Sequence, residues 1–265
     1  MATEQQNSES KIVGALAKSV WPVVIFVFML IIWEVWVKAF NVPEGILPAP
    51  TRIARQICEH FPLLLSHTWP TTWECLLGFF FAVVGGMGLG ILLAFFPLFH
   101  TSVYPLIVAF QVVPKVALAP LFMAWFGLGI ETRVVLAFVI AFFPMVVNTY
   151  AGILSTDPLM VRMARSFNAS RWTIFSKIEF PHALPYIFSG LKIGMTFAVI
   201  GIIVSEFITA QRGLGYIIIF SEGNFDVPMM MAAIILLSVV GVVLYAGVVL
   251  AEKLVITWEH GQKLV

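Results

Sequence analysis

Stretches of about twenty predominantly apolar residues, the length that crosses a hydrocarbon layer at 1.5 Å of helix rise per residue, recur along this chain. They occupy Val20–Phe40, Thr72–Phe96, Val103–Phe126, Thr132–Leu154, Leu184–Phe207 and Met229–Leu250. Only 11% of the 265 residues are charged, against about 25% in a typical soluble domain. The solvent of most of the chain is therefore lipid, and the fold class expected is all-α, a polytopic membrane protein with about six transmembrane helices. Net charge is +1, so there is no global basic field of the kind that attracts nucleic acid.

The first run is too long for a signal-peptide core and lacks a small-residue cleavage site, so it reads as a retained span. Cys58 and Cys75 stand in no metal-ligand spacing and read as packing residues, although the sequence does not decide whether they pair. Between the first two spans lies a Pro-rich loop, residues 41–71, with one short amphipathic helix expected around Arg52–His60. Pro105, Pro114 and Pro120 remove backbone donors from the third run and are expected to kink it.

Basic residues near span ends set orientation. An even number of spans puts Lys11, Lys18, Arg162, Arg165, Arg171, Lys177, Lys192, Lys253 and Lys263 on one side, and Lys38, Arg52, Arg55, Arg133 and Arg212 on the other. The excess assigns both termini to the cytoplasm. The expected organisation is a cytoplasmic tail over 1–19, a first span over 20–40, an external loop over 41–71, a core over 72–250 that includes a cytoplasmic loop at 155–183, and a cytoplasmic tail over 251–265.

That cytoplasmic loop is the least oily passage of the core. Asp157-Pro158 is a helix start with proline at the first helical position, and Met160, Met163, Ala164 and Phe167 then recur at helical spacing as one apolar stripe, with Arg162 and Arg165 elsewhere on the helix. Asn168 tolerates the left-handed conformation that ends a helix, and Ser170 is a good cap for a second helix over Arg171–Ile178, which carries Trp172 and stops before Pro181. Two amphipathic helices with a basic edge suit anionic lipid and a protein partner equally well.

The spacing "RMARSFNASRWTIFSKIEFPHALPYIFSGLKIG" resembles the cytoplasmic coupling loop of permease subunits in bacterial ABC importers of the type I, MetI-like fold. The stretches "LPAPTRI", "HTWPTTWECLLGFF", "QVVPKVALAPLFMAWFGLGIETRVV", "FFPMVVNTYAGI" and "SEFITAQRGLGYII" are similar to the nitrate/sulfonate/taurine branch of that family, in the same order. Two departures stand out: Asn168 replaces the usual glycine at the bend, and an acidic residue usual near Arg162 or Met163 is missing.

The resemblance implies a permease in the bacterial inner membrane that moves a small solute, of the nitrate/sulfonate/taurine or pyrimidine/vitamin-precursor class. It implies two cytoplasmic ATP-binding subunits, a second permease subunit, either an identical copy that makes a homodimer or a different paired chain, and an extracytoplasmic solute-binding protein. On that reading Met160, Arg162, Met163, Ala164, Arg165, Phe167, Asn168, Ser170 and Trp172 form the ATPase-docking loop, and the aromatic-rich spans lean toward a heteroaromatic cargo.

No catalytic set is expected on this chain, nor any cofactor. "GALAKS" at Gly14–Ser19 lacks the second glycine of a phosphate loop, and "GGMGLG" at Gly85–Gly90 lies inside a span, where Gly86 and Gly90 make a small-residue packing surface instead. The five histidines are scattered, so no metal site is expected. Gln111 and Lys115 stand four apart on one face of the kinked span, and fit either a solute pathway or a lysine satisfied by helix carbonyls. Glu206 closes the fifth span before Gly213 and Gly215; it reads as a gate element near the outer mouth or as a partner of Arg212. Glu34, flanked by Trp33 and Trp36, reads as interfacial. A secondary transporter or channel independent of ATP is the competing class; it lacks an evident inverted repeat.

Overall fold

The computed structural model describes residues 2–209 and 211–258, with side chains from Val20 onward. Lys11, Lys18 and Lys263, and the Gly14–Ser19 segment, lie outside those side chains. The elements are helical: α1 (Ala2–Ala39), α2 (Pro50–Glu59), α3 (Phe61–Phe95), α4 (Pro97–Val112), a 3-10 turn (Lys115–Leu118), α5 (Ala119–Phe126), α6 (Ile130–Leu154), α7 (Pro158–Ser166), α8 (Arg171–Ile174), a π turn (Phe175–Glu179), α9 (Phe180–Thr209), α10 (Leu214–Gly223) and α11 (Val227–Val255). Among the described residues five helices are, by length and composition, long and apolar enough to cross a membrane, or six if the bent α4–α5 pair forms one span. They form two compact units, Met1–Phe61 with Ser221–Ala232, and Pro62–Phe220 with Ala233–Val265.

In the first unit, Glu34 of α1 does the work of a helix cap. Ala49 precedes α2 and has no side chain to satisfy the free amides there; Glu34 accepts instead from the Thr51 amide at 3.0 Å and its hydroxyl at 2.8 Å, and pairs with Lys38 at 2.6 Å. A carboxylate at a helix N-terminus is also favoured by the helix dipole.

The second unit is built around α6. Half of its most apolar stretch is buried within the chain, against 28% for α3 and 44% for α9, so α6 is the helix the others pack on. The sequence permits this through small residues. A Cβ built on Gly78, Gly86 or Gly90 of α3 would stand 2.6 Å from Ala137 Cβ, 2.5 Å from Met145 Cβ and 2.7 Å from Thr149 Cβ. On the other side, a Cβ on Gly190 or Gly201 of α9 would stand 2.8 Å from Asn148 Cβ and 2.7 Å from Ala137 Cα. Where lipid tails replace water, helices gain little by merely hiding apolar surface and associate through close packing. The packing surface expected at Gly86 and Gly90 is thus part of a longer seam.

Three boundaries differ from the sequence reading. Helix α3 begins at Phe61 rather than Thr72, so the last part of the loop expected over 41–71 is helical. Of the three prolines in the third run, Pro105 lies inside α4 and Pro120 in the first turn of α5, where a missing N–H does no harm. Only Pro114 sits at a break, and there the chain turns by 88°. The second helix of the cytoplasmic loop does not stop before Pro181; it continues through the π turn into α9. Proline has no N–H to offer the carbonyl four residues back, and the π turn, with its i to i+5 pattern, lies across that carbonyl, Lys177.

The seam makes a direct prediction. Gly86→Ala forces a methyl against Met145 and should destabilise the protein by roughly 1–3 kcal/mol. Gly88→Ala, on the same helix with nothing within 4 Å of the added carbon, should leave stability unchanged or slightly raised. Thermal unfolding of the two variants in detergent checks this.

Candidate functional site

The segment expected to dock, residues 155–183, is made of capped pieces. Asp157 Oδ1 accepts from the Leu159 amide at 2.8 Å and opens α7, with Pro158 in the first position. At its other end Asn168 takes φ 57°. The Ala169 amide donates to Ala164 O at 3.1 Å and the Asn168 amide to Arg165 O at 2.9 Å, the paired bonds of a Schellman ending with asparagine in the usual glycine position. Ser170 Oγ then accepts from the Thr173 amide at 3.1 Å and opens α8. The bend is thus fixed by local hydrogen bonds that need no neighbouring helix.

Its apolar side chains are left uncovered. No residue of α7 is buried; Met160 is 50% exposed, Met163 61%, Phe167 79% and Trp172 68%. Arg162 and Arg165 are exposed as well, and Ala164 is half-buried. A nine-residue helix is too short to span, so this apolar surface is not explained by a transmembrane role. The bend's far side, by contrast, is anchored. Ile174 and Phe175 are buried, and Phe175 packs with Ile153, Ala183 and Ile187.

Polar groups within the spans fall into separate clusters. At the break, Lys115 Nζ donates to the Gln111 carbonyl at 2.8 Å and lies 4.7 Å from the centre of the Phe143 ring. Gln111 and Lys115 therefore do not share one helix face as expected: Gln111 is in the last turn of α4, Lys115 in the 3-10 turn beyond the bend. An ammonium has three protons to donate, and one reaches a helix carbonyl.

Glu206 is 1% exposed. Its carboxylate accepts from Thr71 Oγ1 at 2.7 Å and from the Gly215 amide at 2.7 Å. Thr71 Oγ1 in turn accepts from the Leu214 amide at 2.9 Å, and His67 Nδ1 from the Gly213 amide at 3.0 Å. Three successive amides at the start of α10 are thus held by side chains of α3 and α9. Gly213 has φ 118°, a conformation open to glycine, and an added Cβ there would strike the Glu206 carboxylate. The pairing of Glu206 with Arg212 is replaced by this clamp; Arg212 is exposed.

Sequence reasoning did not single out Glu74 and counted Arg133 among the basic residues at span ends on the non-cytoplasmic side. The two form a bidentate pair across α3 and α6, Nε to Oε2 at 2.6 Å and Nη2 to Oε1 at 2.7 Å, with side chains 2% and 5% exposed. The available signal was an ionised residue inside an otherwise apolar run, which needs a partner. Lys192, counted as a cytoplasmic charge, bridges α9 to Glu252 of α11 at 2.9 and 3.0 Å. Cys58 and Cys75 are free thiols, exposed and buried respectively.

Known proteins resemble this chain in sequence and in fold. Residues 86–256 match the model of the family described as "Binding-protein-dependent transport system inner membrane component". The riboflavin transport system permease protein RibX of Chloroflexus aurantiacus is 33% identical, over 93% of this chain and 94% of that one. The formylaminopyrimidine transport permease protein ThiX of Halalkalibacterium halodurans is 33% identical, over 91% and 96%. Among solved structures, an inward-facing conformation of the MetNI methionine ABC transporter superposes with a TM-score of 0.65 at 20% identity, over 74% of this chain and 98% of that one, a likeness of fold. The chain belongs to the binding-protein-dependent transport system inner membrane component family and is a multi-pass permease subunit of an ATP-binding-cassette importer.

Proposed function

We propose that α7 and α8 dock on a cytoplasmic ATP-binding subunit, with Met160, Met163, Phe167 and Trp172 as the apolar contacts and Arg162 and Arg165 at the polar edge. The observation that carries this is the uncovered apolar surface of a short helix pair joined by a capped bend. Ala164, Asn168 and Ser170 fix its shape. Two copies of this chain and two ATP-binding subunits make the complex, with a solute-binding protein on the opposite face. Both tails, 1–19 and 251–265, face the cytoplasm together with the loop 155–183, in line with the basic excess on that side.

The cargo is a small heteroaromatic solute of the vitamin or vitamin-precursor kind. RibX and ThiX, named for riboflavin and formylaminopyrimidine, align over more than nine-tenths of this chain at 33% identity. The aliphatic sulfonate and taurine permeases align at 29% and 30% over less of it. Lys115 and Gln111 contact the solute where the span breaks, since irregular backbone at membrane depth is tolerated where it lines a cavity. Glu206, Gly213 and Gly215 belong to the outer gate.

Two variants test these assignments. Phe167→Asp should weaken association with the ATP-binding subunit by about 2 kcal/mol, roughly thirtyfold, with insertion unchanged; co-purification at wild-type yield would remove Phe167 from the interface. Lys115→Met should keep that association while lowering solute uptake by roughly tenfold, as expected for loss of a charged hydrogen bond. Uptake at the wild-type rate would exclude Lys115 from the pathway.

A further inference from the structure

The join between the coupling segment and α9 contains a charge pair that docking does not use. Arg171 opens α8 and Glu179 closes the π turn, and Arg171 Nη1 donates to Glu179 Oε1 at 2.5 Å. The guanidinium carbon also lies 4.7 Å from the centre of the Phe95 ring, at the last residue of α3. Glu179 is 6% exposed, and its second carboxylate oxygen, Oε2, is buried without a hydrogen-bond partner. An isolated buried carboxylate is costly, and removing the partner of a buried ion strands its charge. The pair is therefore more than an exposed surface bridge, although the Arg171 side chain is 41% exposed.

The π turn explains how residues eight apart can meet. In a regular α-helix, eight residues make about 2.2 turns, which leaves them roughly 80° out of register. A π turn closes its hydrogen bonds at i to i+5 and so holds more residues per turn. Five residues in that geometry, Phe175–Glu179, rotate the chain back and bring Arg171 and Glu179 toward one face. The aromatic contacts point the same way: Phe175 meets Phe95 edge-on at 4.8 Å, and lies 5.6 Å from both Trp172 and Phe180.

We propose that Arg171 and Glu179 form a brace across the π turn that makes α8 and α9 one rigid rod and fastens it to the end of α3, so that movement of the docked α7 enters α9 instead of being absorbed at the bend. The proposal rests on the docking reading above. Both are positioning residues; neither touches solute or nucleotide.

The test is a charge exchange in the full complex, reconstituted with its ATP-binding subunit and solute-binding protein. Arg171→Glu and Glu179→Arg should each co-purify with the ATP-binding subunit at wild-type yield and hydrolyse ATP within about twofold of wild type, while moving roughly tenfold less solute per ATP. The double exchange should recover at least about half of the wild-type coupling ratio, because the interaction belongs to the pair. If either single variant fails to insert, Arg171→Gln and Glu179→Gln, which remove charge with little change of size, are read in the same way. Wild-type coupling in the single variants would overturn the brace, as would a double exchange no better than its parents. Loss of co-purification in the Arg171 variants alone would also overturn it and make Arg171 a docking contact. Failure of the wild-type chain to bind any ATP-binding subunit would instead refute docking itself, so the two failures are distinguishable.

Discussion

The close approach of α3 and α9 to α6 is the constraint on which the second unit depends. Lipid gives helices no hydrophobic reason to associate, so specificity must come from contact at short range. The glycine seams provide it: Gly78, Gly86 and Gly90 on one side, and Gly190 and Gly201 on the other, leave the α6 backbone and its Cβ atoms in contact with their neighbours. The buried Glu74–Arg133 pair spans α3 and α6, both oxygens matched by both nitrogens. Such a pair adds less to stability than its geometry suggests, because desolvating both ions offsets most of the attraction. Its consequence is register, since sliding α3 along α6 would separate buried charges.

On that core, polar contacts stand at the two ends of α9. Helix α9 runs for 30 residues, about 45 Å at helical rise. One end emerges from the π turn and the coupling bend; the other carries Glu206, which with Thr71 and His67 holds the first amides of α10. A continuous helix with ordered contacts at both ends can carry displacement along its length. Alternating access requires rigid elements of this kind, with bending confined to a few sites.

Much of this was legible in the sequence, for a physical reason. Apolar length reports spans, and local hydrogen bonding reports caps, so the existence of the apolar runs, the Asp157 and Ser170 starts and the left-handed Asn168 could be read from residues close together in the chain. Features that depend on partners far apart in sequence could not. Which proline breaks the third run depends on where each falls in its helix, and only Pro114 lies between two. The π turn was invisible because Pro181 argues locally for a stop, while Phe95, Ile153 and Ala183 hold the chain in a continuous helix. Glu74 could have been noticed as an ion in a span, but Arg133 as its partner required the fold.

The central claim is that this permease moves solute only when cytoplasmic nucleotide hydrolysis acts through its coupling segment. The most direct measurement is solute uptake into proteoliposomes that contain the permease, its ATP-binding subunit and its solute-binding protein, with ATP enclosed on the side of the coupling segment and no ion gradient. The account predicts uptake that stops when ATP is replaced by a non-hydrolysable analogue or when the ATP-binding subunit is omitted. Uptake by the permease alone, driven by a proton or sodium gradient, would contradict it.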